Sequence, residues 1–170
     1  VPFVWCECFN ELQKETRSCV PLGQVVDIFK KVSEAIGVPG DSAGLGPEQM
    51  VHLMLKYYSE MGMLMHHPDS ALRHLVVLDP CKFFVMRAAR VVCEHSMHSD
   101  EYMEAARRER PRDYALLRNG RLNRDFLPRV WQDCEEHVAD LELLMTKYGL
   151  IVPIVDADED SDAQHYLGPA

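Results

Sequence analysis

The feature that most constrains this chain is Leu75-Val76-Val77-Leu78-Asp79-Pro80, which runs directly into Cys81-Lys82-Phe83-Phe84-Val85-Met86-Arg87-Ala88-Ala89-Arg90-Val91-Val92. The first four residues are a short β-branched and Leu run, the signature of a buried strand. Asp79 is placed to accept hydrogen bonds from the first free N–H groups of a helix. Pro80 suits the first helical position, where its missing N–H costs nothing. Phe84, Ala88, Val91 and Val92 then recur at three- and four-residue spacing and predict one apolar face. Asp79 and Pro80 are therefore a structural joint between a strand and a helix.

Upstream of the joint, Phe3 to about Glu15 reads as a helix with Trp5, Phe9 and Leu12 on one side. Pro21 ends any helix there, so Val20 and Leu22 suit a one-pair β bridge. Gly23 to Ile36 carries the stripe Val25, Val26, Ile28, Phe29, Val32 and Ile36, and Gly37 closes it. Residues 38–46, with three glycines and a proline, read as a loop. Pro47 opens a helix to about Glu60, stopped by Gly62. Met63–His66 and Leu75–Leu78 are two strands, with Pro68-Asp69-Ser70 in the turn. Helix, short strand, helix, helix, hairpin is the order of a winged helix.

The same order recurs downstream. Pro80–Cys93 is a helix, Arg121-Leu122 a short strand, and Arg124–Cys134 a helix whose regular part Pro128 delays. Glu136–Tyr148 places Val138, Leu141, Leu144, Met145 and Tyr148 on one face and stops at Gly149. Leu150–Val155 is a strand, with Gln164–Leu167 returning beside it. Ser99–Arg110, capped by Ser99, is an extra helix. The fold class is thus mainly α with small β-hairpins (α+β), as tandem winged-helix-like units over 1–79 and 80–170. Trp131, Leu141, Leu144, Phe29 and Val77 are the expected core.

The chain has 170 residues, 47% of them hydrophobic, enough for one domain or two small ones. No apolar run reaches the roughly 18–20 residues that span a bilayer. No signal-peptide pattern is present, and Val1 without Met reads as an excised piece of a longer protein. Most of the six cysteines fall in apolar, helix-like segments and no pair has C-x-x-C spacing, which favours free thiols in a reducing compartment, hence a cytoplasmic location.

Net charge −9 argues against a nucleic-acid binder. The charge is uneven: eight of the twelve arginines lie between Arg107 and Arg129, and five acids between Asp156 and Asp162. The arginine segment is the strongest polar feature. Arg107, Arg108, Arg112 and Arg118 are the candidate partner-binding residues, suited to an acidic protein face or an anionic membrane, against the simpler reading of a solvated helix and loop. The acidic turn lacks the sixth-position Gly and twelfth-position Glu of a calcium loop and reads as a solubilising tip. His66, His67 and His74 flank the first hairpin, and His67, His74 and Asp69 are placed for a metal or pH response, though a solvated hairpin end explains them as well. No catalytic triad, phosphate-cradling glycine loop or spaced carboxylate pair stands out, so no catalytic residue, cofactor or metal is expected. The two predicted recognition helices are acidic: Lys56 stands against Glu48 and Glu60, and Lys147 against Glu136, Asp140 and Glu142. Neither suits DNA.

The joint resembles the LVVLDP-like passage of the COR region that follows the Roc GTPase in Roco proteins, the group containing the leucine-rich-repeat kinases and death-associated protein kinase. Val1-Pro2-Phe3-Val4-Trp5 resembles the start of COR, and Glu60-Met61-Gly62-Met63-Leu64-Met65-His66 its "LGxLLHF" turn. Asn119-Gly120-Arg121-Leu122 with Val130-Trp131 resembles "G-x-L…LW", and His165-Tyr166-Leu167-Gly168-Pro169-Ala170 its "YLVPSLL" end. The family has Trp two residues after the Pro; Lys82 stands there, with Phe83 or Phe84 left to supply the packing. The resemblance implies the first half of COR (COR-A), a non-catalytic regulatory and interaction domain. It would couple a Roc-type GTPase in cis to downstream domains, with a COR-B half and a homodimer in the full protein. The alternatives are a winged-helix nucleic-acid-binding module and the winged-helix region of a STAND-type ATPase.

Overall fold

The structure is a computed structural model that describes residues 1–37, 44–68, 71–93, 101–154 and 165–167. It is mainly helical, with two small antiparallel sheets. The chain divides into two compact units, Val1–Phe83 and Phe84–Ala170.

In the first unit the elements are α1 (Phe3–Leu12), β1 (Cys19–Pro21), α2 (Leu22–Ile36), α3 (Pro47–Glu60), β2 (Met65–His66) and β3 (Leu75–Val77), with a 3-10 turn at Ala71–His74. The expected bridge at Val20 is a full three-residue strand: Cys19, Val20 and Pro21 lie opposite Val77, Val76 and Leu75. β2 pairs on the other edge of β3, so the sheet order is β1-β3-β2. Leu22 is not part of that bridge but the first residue of α2, because Pro21 accepts extended backbone and opens the helix. Gly37 ends α2 at φ 71°, a left-handed conformation that a side chain would strain. At α3 the side chain of Gln49 reaches back to the N–H of Gly46 (3.1 Å), half of a capping box, and Pro47 occupies the first turn.

The amphipathic stripes of the three helices face one core with the sheet. Cys8 and Leu12 from α1, Val25 and Phe29 from α2, Met54 and Leu55 from α3, and Val20 and Val76 from the strands are all buried. Of the expected α2 stripe, Ile28, Val32 and Ile36 are half-buried at its margin, and Ser33 is buried in their midst.

The second unit contains α4 (Met86–Val92), α5 (Glu101–Glu109), α6 (Pro111–Arg118), β4 (Arg121–Asn123), α7 (Leu127–Val130), α8 (Val138–Lys147), β5 (Val152–Ile154) and β6 (His165–Leu167). A π-helical segment, Cys81–Val85, precedes α4. β6 pairs with both β4 and β5, so this sheet is ordered β4-β6-β5, the pattern of the first. Trp131, Leu141, Leu144 and Met145 are buried, as are Met103, Leu122 and Phe126.

Three expectations need correction here. The helix expected over Arg124–Cys134 is three short pieces: 3-10 turns at Arg124–Phe126 and Gln132–His137 on either side of α7, with Cys134 non-helical at φ −152°. Pro128 lacks an N–H and its ring clashes with the carbonyl four residues back, so α7 cannot begin before Leu127. Tyr148 lies beyond the end of α8 and is exposed, its ring meeting Phe84 at 5.4 Å. Val92 is only half-buried; the inward face of α4 holds Arg87, Ala88, Arg90 and Val91. Ser99, the acidic turn 156–162, Asp69 and the Gly168-Pro169-Ala170 ending lie outside the described residues.

Asp79 Oδ1 accepts a hydrogen bond from the Lys82 N–H at 2.9 Å, and Phe83 N–H donates to the Asp79 carbonyl at 2.9 Å. Asp79→Ala removes that cap and should lower the unfolding free energy by about 0.5–2 kcal/mol in urea titration. Unchanged melting would show the bond to be dispensable.

Candidate functional site

The arginine-rich segment covers α5, α6, β4 and α7, and its eight arginines have two different fates. Arg107 pairs with Glu104 (2.7 Å), Arg110 with Asp113 (2.7 Å), Arg124 with Glu142 (3.0 Å) and Arg129 with Glu109 (3.5 Å). Arg110 also donates to the Asp125 carbonyl (2.6 Å), which ties α6 to the turn before α7. These contacts hold the segment together internally. Arg108, Arg112, Arg118 and Arg121 are exposed and make no ion pair among the described residues. Of the four candidates named from sequence, Arg107 is thus committed to a neighbouring acid, while Arg108, Arg112 and Arg118 present their charge to solvent. Arg121 belongs with the latter group.

A second group of arginines, not singled out in the sequence, lies in the interior of the second unit. Arg87 and Arg90 sit one helical turn apart on the inward face of α4, each 7% exposed. Arg87 Nη2 meets Asp133 Oδ2 at 2.9 Å, and Arg90 Nη1 meets Asp133 Oδ1 at 2.5 Å. The guanidinium of Arg90 also donates to the Val130 carbonyl (3.3 Å) and lies 4.6 Å from the Tyr102 ring centroid. Trp131 Nε1 donates to the Arg87 carbonyl at 3.0 Å. Burial pushes the Asp133 carboxyl up, but the hydrogen bond and charge of Arg90, with the charge of Arg87, outweigh it and hold the group below its usual range. The sequence signal was the i, i+3 spacing of Arg87 and Arg90 on an otherwise apolar face.

The histidines near the first hairpin arrange differently from the expected pair. His66 is buried and its ring stands 5.6 Å from that of His52 on α3, while His66 Nε2 donates to the Arg73 carbonyl (3.2 Å). His74 Nδ1 lies 2.8 Å from the Ala71 carbonyl. Burial lowers the pKa of His66, and the charges of His52, His67 and Arg73 lower it further against the opposing hydrogen bond to Arg73. Among the described residues no group of three or more His, Cys, Asp and Glu side chains is placed to hold a metal. The six cysteines are all free. Cys8 has its thiol pushed up to about 12 by burial and by Glu11, which makes it unreactive. No helix among the described residues is long and apolar enough to cross a membrane.

Two outcomes follow from these groups. Asp133→Ala leaves two guanidinium groups buried without their carboxylate and should cost about 3 kcal/mol in urea unfolding, the low end of the cost of breaking a buried ion pair because Asp133 keeps some exposure. With its folded pKa below the unfolded 3.8, Asp133 stabilises fully above that pH and loses its contribution as the pH falls through the folded value. His66 has the opposite sign of charge. Below about pH 6.5 the unfolded chain takes up a proton that folded His66 resists, so stability falls with acidification. An NMR titration should place the His66 midpoint below 6.5; a midpoint at or above it contradicts the buried neutral ring.

No family model matches the chain, and no curated protein does. Among solved structures it is similar to Roco2 RocCORdC of Methanosarcina barkeri bound to GDP. The two share 15% identity at a TM-score of 0.61, over 99% of this chain and 43% of that one. The chain therefore spans less than half of that structure, and at this identity the likeness establishes the fold. The fold is that of part of a Roco protein, the family whose motifs the sequence resembles.

Proposed function

We propose that the chain is the COR-A half of a Roco-type protein, a non-catalytic module that couples a Roc-type GTPase in cis to the domains that follow. The observation that carries this reading is the likeness to Roco2 RocCORdC across 99% of the chain. The COR-like motifs lie in the same order along the sequence, and the chain has no phosphate-cradling loop of its own, so its part in such a protein is that of the coupled module. Its two units are read as tandem winged-helix-like domains over 1–79 and 80–170. Their common strand order and the division of the chain after Phe83 support that reading. The full protein is expected to be cytoplasmic, with a COR-B half and a homodimer.

The nucleic-acid reading gains nothing from the helices in the recognition positions. On α3 the cation Lys56 stands 3.9 Å from Glu60. On α8, Asp140 and Glu142 oppose Lys147. A row of phosphates finds no matching charge on either.

Coupling requires only that one face binds the GTPase more tightly in one nucleotide state; by linkage, that preference biases the nucleotide in return. The test is titration of the folded chain with the Roc-type domain of its own parent protein, in the diphosphate and the triphosphate-analogue states, at two ionic strengths. The affinities should differ by about 5–150-fold, the range of ordinary allosteric coupling. Equal affinity in both states would leave a scaffold without coupling, and no binding in either would overturn the proposal.

A further inference from the structure

The second unit uses arginine with no lysine from Phe83 to Thr146, although lysines stand on both sides of that stretch at Lys82 and Lys147. Two of these arginines are locked inside on Asp133 and four are spent on neighbouring acids. Arg108, Arg112, Arg118 and Arg121 remain. They fall on three consecutive elements, the last turn of α5, both ends of α6, and the first residue of β4. On α6 the exposed residues are Pro111, Arg112, Ala115 and Arg118, while Leu117 faces inward. A small side chain thus lies between two guanidinium groups on the solvent side of one helix. Arg118 and Arg121 flank a tight turn, in which Gly120 at φ 73° donates its N–H to the Leu117 carbonyl. Within Arg107–Arg129 the acids number three against eight arginines, and two of the three, Glu109 and Asp113, are already paired.

We infer that Arg108, Arg112, Arg118 and Arg121 form a docking surface for an acidic face of a folded protein. Three features favour that occupant. Planar guanidinium groups engage carboxylates, as they do phosphates, in a bidentate geometry that lysines cannot offer. The elements that carry the four arginines are joined to one another, α5 to α7 by Arg129 and Glu109, and the start of α6 to the turn before α7 by Arg110 and the Asp125 carbonyl. Finally, none of the large exposed apolar residues falls within residues 101–130; among the described residues of this unit they are Val85, Met86, Leu143, Tyr148 and Val152. An amphipathic helix that inserts into a membrane combines basic charge with an apolar wedge on the same face, and this surface has the charge alone. The inference deepens the coupling reading by giving a surface and a partner chemistry, but its test uses no GTPase, so the two fail separately.

The test measures binding of the whole chain to a fluorescent poly-glutamate peptide and to phosphatidylserine vesicles, each at low and physiological salt. The variants are the fourfold reversal R108E/R112E/R118E/R121E, the fourfold Arg→Lys exchange at the same positions, and K30E/K31E on α2 as a control for bulk charge. Circular dichroism and melting establish that each is folded; the Lys exchange keeps the charge should the reversal fail to fold. Wild type should bind poly-glutamate with strong salt dependence. The reversal should weaken that binding by at least about tenfold and flatten the salt dependence, as loss of steering charges does. K30E/K31E should change it far less, and the Lys exchange should weaken it severalfold if the contacts are bidentate. Equal loss in the reversal and in K30E/K31E overturns the inference, since a general field would then suffice. An undiminished Lys exchange likewise removes the guanidinium from the recognition. Vesicle binding without poly-glutamate binding assigns the surface to a membrane instead, and no binding of either probe leaves the four arginines merely solvated.

Discussion

The second unit depends on one carboxylate. Asp133 follows Trp131 by two residues, and from there it holds Arg87 and Arg90 on the inward face of α4. Without it both guanidinium groups would be buried with no carboxylate to balance their charge, which is costly. The same short stretch places Val130, whose carbonyl takes an Arg90 hydrogen bond, and Trp131, whose indole N–H reaches the Arg87 carbonyl. Four contacts therefore join α4 to the residues around Trp131, and each constrains the others. This explains why α7 and the turns beside it need not be regular. The side chains at Val130, Trp131 and Asp133 are fixed by what they bind, so the backbone follows them, with Cys134 outside helical geometry as the cost.

The first unit is organised by packing instead. Its core is almost wholly apolar, and α1, α2 and α3 each supply two or more residues to it. Among its described residues the buried polar side chains are Ser33 on α2 and His66 on the short edge strand β2, the latter beside His52 and tied to Arg73. A neutral imidazole can be buried at moderate cost if one ring nitrogen is bonded, and the Arg73 carbonyl supplies that bond. The two units thus place charge at opposite extremes, one with an internal ion triad and the other with a core that resists protonation.

Most of the fold was legible where a local rule was sufficient. Gly37 and Gly149 ended the helices they were expected to end, because a left-handed residue at the end of an amphipathic stripe has few other uses. Asp79 reads as a cap from its place before Pro80, and its Oδ1 does bond to Lys82 N–H. Pro128 announced a delay but not the full break, since the break also needs Trp131 and Asp133 to be pulled inward by partners 40 or more residues away. α6 was missed for a related reason: Pro111 and four charged or polar residues hide a short helix whose inward side is little more than Leu117. Arg87 and Arg90 drew no notice in the sequence because arginine is rarely buried. Only the three-residue spacing on a helix with Ala88 and Val91 hinted otherwise, and the decisive residue, Asp133, is invisible in that window.

The division between paired and unpaired arginines also bears on the proposed winged-helix-like reading. In a DNA-binding winged helix, the helix before the hairpin carries the cations that approach phosphate. In this chain, α3 and α8 are acidic at that position, and the cations have moved to α5, α6 and β4. Of the five arginines from Arg107 to Arg118, two are spent on carboxylates close by in sequence, Arg107 on Glu104 and Arg110 on Asp113, pairs that form at little entropic cost because both partners lie within one turn. The remaining arginines face solvent on the same elements. Guanidinium groups spaced in that way can bind carboxylates in general, and discrimination among acidic partners then comes from how well a partner's carboxylates match their spacing.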